Sequence, residues 1–434
     1  MATETIETRA SVPGRRWRIA WLLGIGVLVN YFDRVNLSAS HAALIGAFGI
    51  SDVAFGYLSG AYNLTYWLCQ LPIGVILDRF GVRKVGRVGT FLWSLATFAG
   101  AAAPSLGSLF GARFLLGIGE APTFPASAKA VGRWFPPRER SLATALFDSC
   151  AKFSSVIGIP LIGYVLLRAG WRWSFAMTGG ISLLYFVYFW RVYRDPEEDA
   201  GLSDAERSYI EAVEDEGAPF ADEPPSPLFD LLRRRKVLGL ALGFGSYNYV
   251  FYLLLTWLPS YFAFSLHIDM LHSFLYTSVP WLVATFCELS IGGWLVDFLV
   301  KRGADASRVR RTVLIGGATC GLGILGAAHA HSAMQALIWI SISIGGLSAH
   351  SAVGWSLPSF IASHRDVGKV GGIVNFSNQV SGICAPIITG YLVAALHSYA
   401  WVFGVSAIYL AVGIAGYIFL LGKIERTQTG SAPA

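Results

Sequence analysis

The sequence predicts an all-α membrane protein of twelve transmembrane helices in two pseudo-symmetric six-helix bundles, and three observations predict it. Hydrophobic residues make up 54% of the 434 positions and charged residues only 14%, too apolar a balance for a soluble chain of this length. Apolar stretches of roughly 20 residues, the length that crosses a bilayer, begin near Trp17, Val53, Gly86, Leu109, Arg140, Arg172, Val237, His272, Arg311, Ala333, Gly368 and Tyr399. Gly74-Val-Ile-Leu-Asp78, ending the second stretch, returns 219 residues later as Gly293-Trp-Leu-Val-Asp297, ending the eighth, each time with basic residues after it. Such duplication implies a pseudo-symmetric transporter with its substrate site near the midplane between the halves.

The first stretch has no small-residue cleavage site, and Asp33-Arg34 interrupts what would be a signal core, so it is kept as a helix. Basic residues crowd the N-terminus (Arg9, Arg15, Arg16, Arg18) and the connections with Arg79, Arg83, Lys84 and Arg87, with Arg133, Arg138 and Arg140, and from Arg191 to Lys236. The alternate connections carry little beyond Arg168 and Arg172. This bias predicts a cytoplasmic face holding both termini and an even number of spans. The net charge of +6 is then topological. No contiguous basic stripe interleaved with aromatics exists, so nucleic acid is excluded as a partner.

The bundles are expected over residues 1–193 and 237–434, joined by a polar cytoplasmic linker over 194–236. The linker is acidic first, then Pro-rich (Glu223-Pro-Pro-Ser-Pro227), then basic. Ser203-Asp-Ala-Glu206 reads as a capping box opening a short amphipathic helix on the cytoplasmic face. Cys69, Cys150, Cys287, Cys320 and Cys384 all fall in apolar stretches without metal-ligand spacing and read as free packing thiols. The Asn-x-Ser/Thr matches at Asn36, Asn63 and Asn375 lie in or beside spans, beyond a glycosylation enzyme's reach. No metal or cofactor is expected.

A charge at a helix centre costs about 2.5 to 3.5 kcal/mol on insertion scales, which singles out Asp33, Arg34, Arg113, Glu120, Asp148, Lys152 and Glu288. At 1.5 Å rise per residue, Asp33 lies roughly 22 Å in from the cytoplasmic end, with Glu120, Asp148 and Lys152 near the midplane. Arg113 and Glu120 are two turns apart and share one face of the fourth helix. Asp148 and Lys152 form an i, i+4 acid-base pair in the favourable order. It reads either as a self-neutralising pair or as a second positive contact for a diacid. Glu288 has no partner visible in the sequence and reads as a second proton site or an interhelical hydrogen bond. Tyr66, Tyr247, Asn248, Tyr252, Asn375, Asn378 and Gln379 offer hydroxyls and amides to a polyol, or bond between helices. His350 and Trp355 either line the same space or pack. Gly24, Gly26, Gly117, Gly119, Gly371 and Gly372 suggest close helix approach.

Gly74-Val-Ile-Leu-Asp-Arg-Phe-Gly-Val-Arg-Lys84 resembles the loop motif of the major facilitator superfamily. Tyr31-Phe-Asp33-Arg34-Val-Asn36-Leu, Arg113 with Gly119-Glu120-Ala-Pro-Thr-Phe-Pro125, and Leu255-Thr-Trp-Leu-Pro259 look like its anion:cation symporter family, over about Trp17 to Gly422. The resemblance implies the major facilitator fold, carriage of hexonates, hexuronates or aldarates, a bacterial inner membrane and a monomer. It implies protonation at Asp33 and Glu120, a substrate carboxylate held by Arg34, and neutralisation or gating by Arg113. Tyr66 and Asn375 match family substrate positions. Physical chemistry agrees, since a guanidinium stays charged and offers a fork matched to carboxylate. The charged Asp148 and Lys152 depart from relatives, which tend to be uncharged there. Asp78, Arg79, Arg83 and Lys84 are expected to form a breakable latch across the cytoplasmic rim.

Enzymes are disfavoured by the lack of a metal-binding His pair, nucleophile elbow or phosphate loop. A solute-sensing receptor would use the same cavity, and an uncoupled or exporting carrier would not need Asp33 and Glu120. The expectation is proton-coupled uptake of a small organic anion by alternating access.

Overall fold

The structure, a computed structural model, describes residues 14–211, 226–362 and 366–424. Arg9 and Glu223-Pro224-Pro225 lie outside the described residues, as do the side chains of Asp78 and Arg138.

The described residues form twelve long helical segments, six before residue 193 and six after residue 234. The first is Arg15–Ala39. The run Asp52–Ala101 supplies the second and third, divided at Gly81, whose φ of 76° and ψ of 165° suit only glycine. Leu106–Glu120 and Thr123–Trp134 together make the fourth. Pro137–Ala169 and Trp171–Val192 complete the first half. The seventh is Arg235–Ser260, the eighth begins at Met270–Cys287, and the ninth begins at Ala306–Gly321. Ala333–Ser356, Val367–Leu396 and Tyr399–Ala415 follow. Side-chain oxygens of Ser51, Ser105, Asp269, Asp305, Ser332 and Ser398 accept from first-turn amides, so six of these helices start where the sequence offers a cap.

From the fifth helix onward all eight are long and apolar enough to cross a membrane on length and composition alone. The first is diluted by Asn30, Asp33, Arg34 and Asn36 in its interior, and the fourth is interrupted just after Glu120. The first and fourth helices, which fall short of that apolar standard as individual spans, bear Asp33, Arg34, Arg113 and Glu120.

Between the midplane and the end remote from the termini, the two halves are joined tightly. Ser38 donates to the Thr256 carbonyl at 2.8 Å, and His41 Nδ1 lies 2.7 Å from Ser260 Oγ. Tyr57 and Tyr391 hydroxyls meet at 3.0 Å. A methyl group at Gly56 would stand 2.6 Å from the Pro386 carbonyl oxygen, so the second and eleventh helices touch backbone to backbone there. A cavity of about 600 Å³ also lies at this end, walled by Asp52, Tyr261, His267, His397 and Tyr399 among others; Arg34, Glu120, Lys152 and Glu288 are not in its walls.

At the other end the chain after the sixth helix folds back on the first half. Its acidic residues meet the basic loops: Arg15 pairs with Asp199 at 2.9 Å, Arg133 with Asp195 at 3.0 Å and Glu197 at 2.7 Å, and Arg83 with Glu198. Burial pushes the Asp195 carboxyl above its ordinary value, against the pull of Arg133. The expected helix is present as Asp204–Glu211. Only half of its capping box forms, with Ser203 Oγ accepting from the Glu206 amide. The Glu206 carboxylate turns instead to the first helix, where it accepts from the Arg15 and Arg16 amides at 3.1 Å and from the Arg16 guanidinium at 2.9 Å. It caps that helix and opposes its dipole, so this part of the linker is docked and not a solvated tether. The helix Leu228–Arg233 belongs to the other half: Ser226 beside it donates to Asp366 at 3.0 Å.

In this conformation Arg83 pairs with Glu198 of the folded-back acidic segment, and Arg79 lies over the Phe80 ring at 5.3 Å. One expectation is corrected here. Gly371 and Gly372 face open space, with no atom within 4 Å of where a methyl group would project, so neither serves a close helix approach.

Candidate functional site

Asp33 and Arg34 are adjacent in sequence, and the 100° turn per residue sends their side chains to different places. Asp33 is buried in the first half with Thr97, Thr178, Arg113 and Glu120 around it, and neither carboxyl oxygen makes a well-formed hydrogen bond. Arg34 faces the second and fourth helices. Its Nη2 donates to Asn30 Oδ1 at 3.0 Å, to the Tyr62 hydroxyl, and to Glu120 Oε2 at 3.4 Å. Tyr62 in turn donates to the same Glu120 oxygen at 2.5 Å. The guanidinium carbon stands 4.2 Å from the Tyr31 ring, 4.9 Å from Tyr62 and 5.5 Å from Tyr66, an aromatic surround that holds a cation.

The close approach that makes this possible is written into the fourth helix. A methyl at Gly117 would collide with Thr65 Oγ1 and fall 2.5 Å from the Tyr62 carbonyl oxygen. Only glycine lets Glu120, one turn on, arrive at Tyr62.

Three features of this cluster decide what it can do. All three Arg34 hydrogen bonds use Nη2, while buried Nε has no partner. The contact with Glu120 is long for a charge-assisted bond, which is ordinarily about 2.7–2.9 Å. Glu120 Oε1 is buried and unbonded. The guanidinium is therefore held in place without being saturated. Arg113 makes no comparable pair: it donates to the Asp33 carbonyl at 3.4 Å and lies 5.0 Å from the Tyr62 ring, between the two acids.

A second cluster joins the halves. Lys152 donates to Asp148 Oδ2 at 2.9 Å on its own helix and to Glu288 Oε1 at 2.8 Å on the eighth. The closed i, i+4 pair is corrected to a trio, and Glu288, partnerless in sequence, gains its partner from 136 residues away. Tyr247 stands beside Lys152 and Glu288. Tyr31 is within electrostatic reach of both Arg34 and Lys152, so the clusters adjoin.

The remaining polar positions divide. Tyr66 joins the aromatic surround of Arg34, and Tyr252 lies near the same cation. Asn248 donates to the Asn378 carbonyl at 2.6 Å, an interhelical bond. The side-chain oxygens of Asn378 and Gln379 are buried without partners, and Asn375 is half-buried on the same helix. His350 packs, its Nε2 2.7 Å from the Tyr417 hydroxyl, and Trp355 meets the Phe244 ring at 5.1 Å.

Sequence reasoning overlooked Tyr62 and Asn30. Both carried a signal: Tyr62 is one turn before Tyr66, and Asn30 one turn before Arg34, each on its partner's face.

Residues 23–362 match the Major Facilitator Superfamily. The chain is 40% identical to an uncharacterized transporter, YybO, of Bacillus subtilis, covering 97% of this chain and 98% of that one. It is 33% identical to a D-galactonate transporter of Escherichia coli O6:H1, covering 97% and 99%, and 31% identical to a probable galactarate/D-glucarate transporter, GarP, of E. coli K12, covering 99% of each. Among solved structures it resembles a bacterial homolog of the human lysosomal transporter Spinster (16% identity, 94% and 97% covered, TM-score 0.73). It also resembles a D-xylose-proton symporter (17% identity, 93% and 98% covered, TM-score 0.72), and these two show the fold alone.

Proposed function

We propose that this chain, which belongs to the Major Facilitator Superfamily and is a multi-pass membrane protein, is a proton-coupled symporter that takes up a sugar acid across a bacterial inner membrane. The observation that carries this reading is the unsaturated Arg34: a guanidinium fixed by one nitrogen and buried within the first span, with its Nε uncommitted. A fixed fork with open donors binds a carboxylate in two-pronged fashion. Relatives along the whole chain bear the names of galactonate and galactarate/D-glucarate transporters, which supports a polyhydroxy acid as the anion. Tyr66, Tyr247, Asn248, Asn375 and Gln379 offer its hydroxyls their partners.

Glu120 shares both of its partners with the substrate site, so the substrate carboxylate competes with the ionised Glu120 for Arg34, and substrate binding favours protonation of Glu120. When a carboxylate engages Arg34, Glu120 loses its countercharge and takes up a proton; when the acid leaves, Glu120 returns to Arg34. Asp33, buried and without a well-formed hydrogen bond, is the second proton carrier, and Arg113 between the two acids moderates both. Residues 1–193 rock against 237–434 about this site, with 194–236 connecting them and both termini cytoplasmic. Asp78, Arg79 and Arg83 belong to the rim that closes in the opposite state. One chain carries both walls of the site, so the monomer is the working unit.

The test is uptake into proteoliposomes under an inward proton gradient, with galactonate, galacturonate and galactarate. Accumulation of one acid, collapsing with a protonophore and reduced to exchange in Glu120→Gln, supports the mechanism. A chain that moves no organic acid under any gradient is not this symporter.

A further inference from the structure

We propose that Lys152 is a second carboxylate subsite, kept filled by Glu288 of the opposite half until the second carboxylate of a dicarboxylic substrate replaces it. This rests on the sugar-acid reading of Arg34 and names the class of acid. Lys152 is the only buried lysine among the described residues, and it reaches across the seam between the halves, where a carried solute must sit. Arg34 stands 4.2 Å from the Tyr31 ring and Lys152 acts electrostatically on the same side chain, so the two cations, on the adjoining first and fifth helices, lie in one region of the first half.

Glu288 is built as an exchangeable occupant. Its one bond to a cation runs from Oε1 to Lys152, while its carboxyl also lies within hydrogen-bond reach of the Asp148 carboxyl, so an acid shares the lysine with a second acid beside it. It also opens a π-helical stretch, Glu288–Leu295, inside the eighth helix. Such stretches loosen the regular backbone ladder and are frequent at functional sites. Asp148, by contrast, is anchored to Lys152 from the same helix and moves with it.

Charge decides that the exchange is a replacement and not an addition. One ammonium already faces two carboxylates, and a third beside them in a span would be prohibitive. The incoming carboxylate therefore takes the place of Glu288, which withdraws with a proton from the aqueous side then open. The ionisable groups around Glu288 are Lys152 and Asp148 of the fifth helix and Tyr247 of the seventh. The tenth helix meets the same stretch at Gly292, where a methyl group would stand 2.7 Å from the Ala349 carbonyl oxygen and the Ala352 methyl. A monocarboxylic acid engages Arg34 alone and leaves the Lys152–Glu288 bond intact.

The experiment measures binding of galactarate, a diacid, and D-galactonate, a monoacid, to the purified full-length protein by titration calorimetry, with gel filtration to check each variant's fold. Wild type is expected to prefer galactarate by roughly 10-fold, the worth of one charge-assisted contact. In Lys152→Gln that preference disappears, and in Lys152→Arg it is retained. In Glu288→Gln, which removes the competing carboxylate, galactarate binds several-fold tighter. Binding of D-galactonate with no preference for galactarate, or a preference that survives Lys152→Gln, overturns this inference and leaves the sugar-acid reading standing. Failure of wild type to bind either acid overturns both.

Discussion

The Arg34 and Lys152 clusters contain the same kinds of group, a buried cation with buried carboxylates, yet they are tied to the molecule in opposite ways. Arg34, Tyr62 and Glu120 all belong to the first half, and their hydrogen bonds close within it. Lys152 is shared between Asp148 of the first half and Glu288 of the second. When the halves move, the first cluster travels as a unit, while the second must break or hinge. A cluster confined to one half can bind and release without altering how the halves meet; a cluster across the seam reports on that meeting. On the proposed function, substrate capture is assigned to the former and selection coupled to closure to the latter.

The strongest challenge to this division is Arg34→Ala. Removing one partner of a buried pair costs about 3–5 kcal/mol, and at 1.4 kcal/mol per tenfold the expected loss of affinity is roughly 100-fold or more for every acid tested. Calorimetric affinities within threefold of wild type would dissolve the assignment of capture to the first half.

Glu120→Gln is expected to uncouple and not to disarm. Counterflow of labelled acid should persist while accumulation under a proton gradient falls to the level of empty liposomes. Retained accumulation would move coupling to Asp33 or to the seam.

A double-mutant cycle sharpens the contrast further. Lys152→Gln and Glu288→Gln should be coupled by about 1–3 kcal/mol, as residues in contact are. Tyr62→Phe and Glu288→Gln, in separate clusters, should add within about 0.5 kcal/mol. Equal coupling in both cycles would mean one network and not two.

Tyr62→Phe alone removes one hydroxyl that bridges Arg34 and Glu120. The expected loss is about 1 kcal/mol, a several-fold weakening of acid binding. At the far smaller end, Arg133→Ala breaks half-exposed pairs with Asp195 and Glu197. It should change stability by at most about 1 kcal/mol, visible as a slight shift of melting temperature.

Much of this architecture is legible in the chain itself. The helices follow from runs of apolar residues, and their starts from Ser and Asp caps. The candidates Asp33, Arg34, Glu120 and Lys152 stand out because a charge in an apolar run has no local excuse. Tyr62 escapes notice although its spacing from Tyr66 is readable. The docking of Glu206 on the first helix looks in sequence like a purely local cap, because its competing partners, the Arg15 and Arg16 amides, lie some 190 positions away. The acidic run 195–199 facing basic loops is a usable signal, since opposite charges concentrated on one membrane face have few other places to go.

The sequence by itself determined which segments cross the membrane, which residues are too polar to be there by chance, and that the two halves repeat a pattern. These are properties of local composition and period, and a bilayer enforces them one helix at a time. The tertiary structure alone decided which charges meet. Asp33 and Arg34 part because a helix turns between them, and Lys152 finds Glu288 because two helices from different halves are neighbours. Pairing within one helix, as between Asp148 and Lys152, is written in an i, i+4 spacing, but pairing between helices depends on through-space distance that no spacing along the chain encodes.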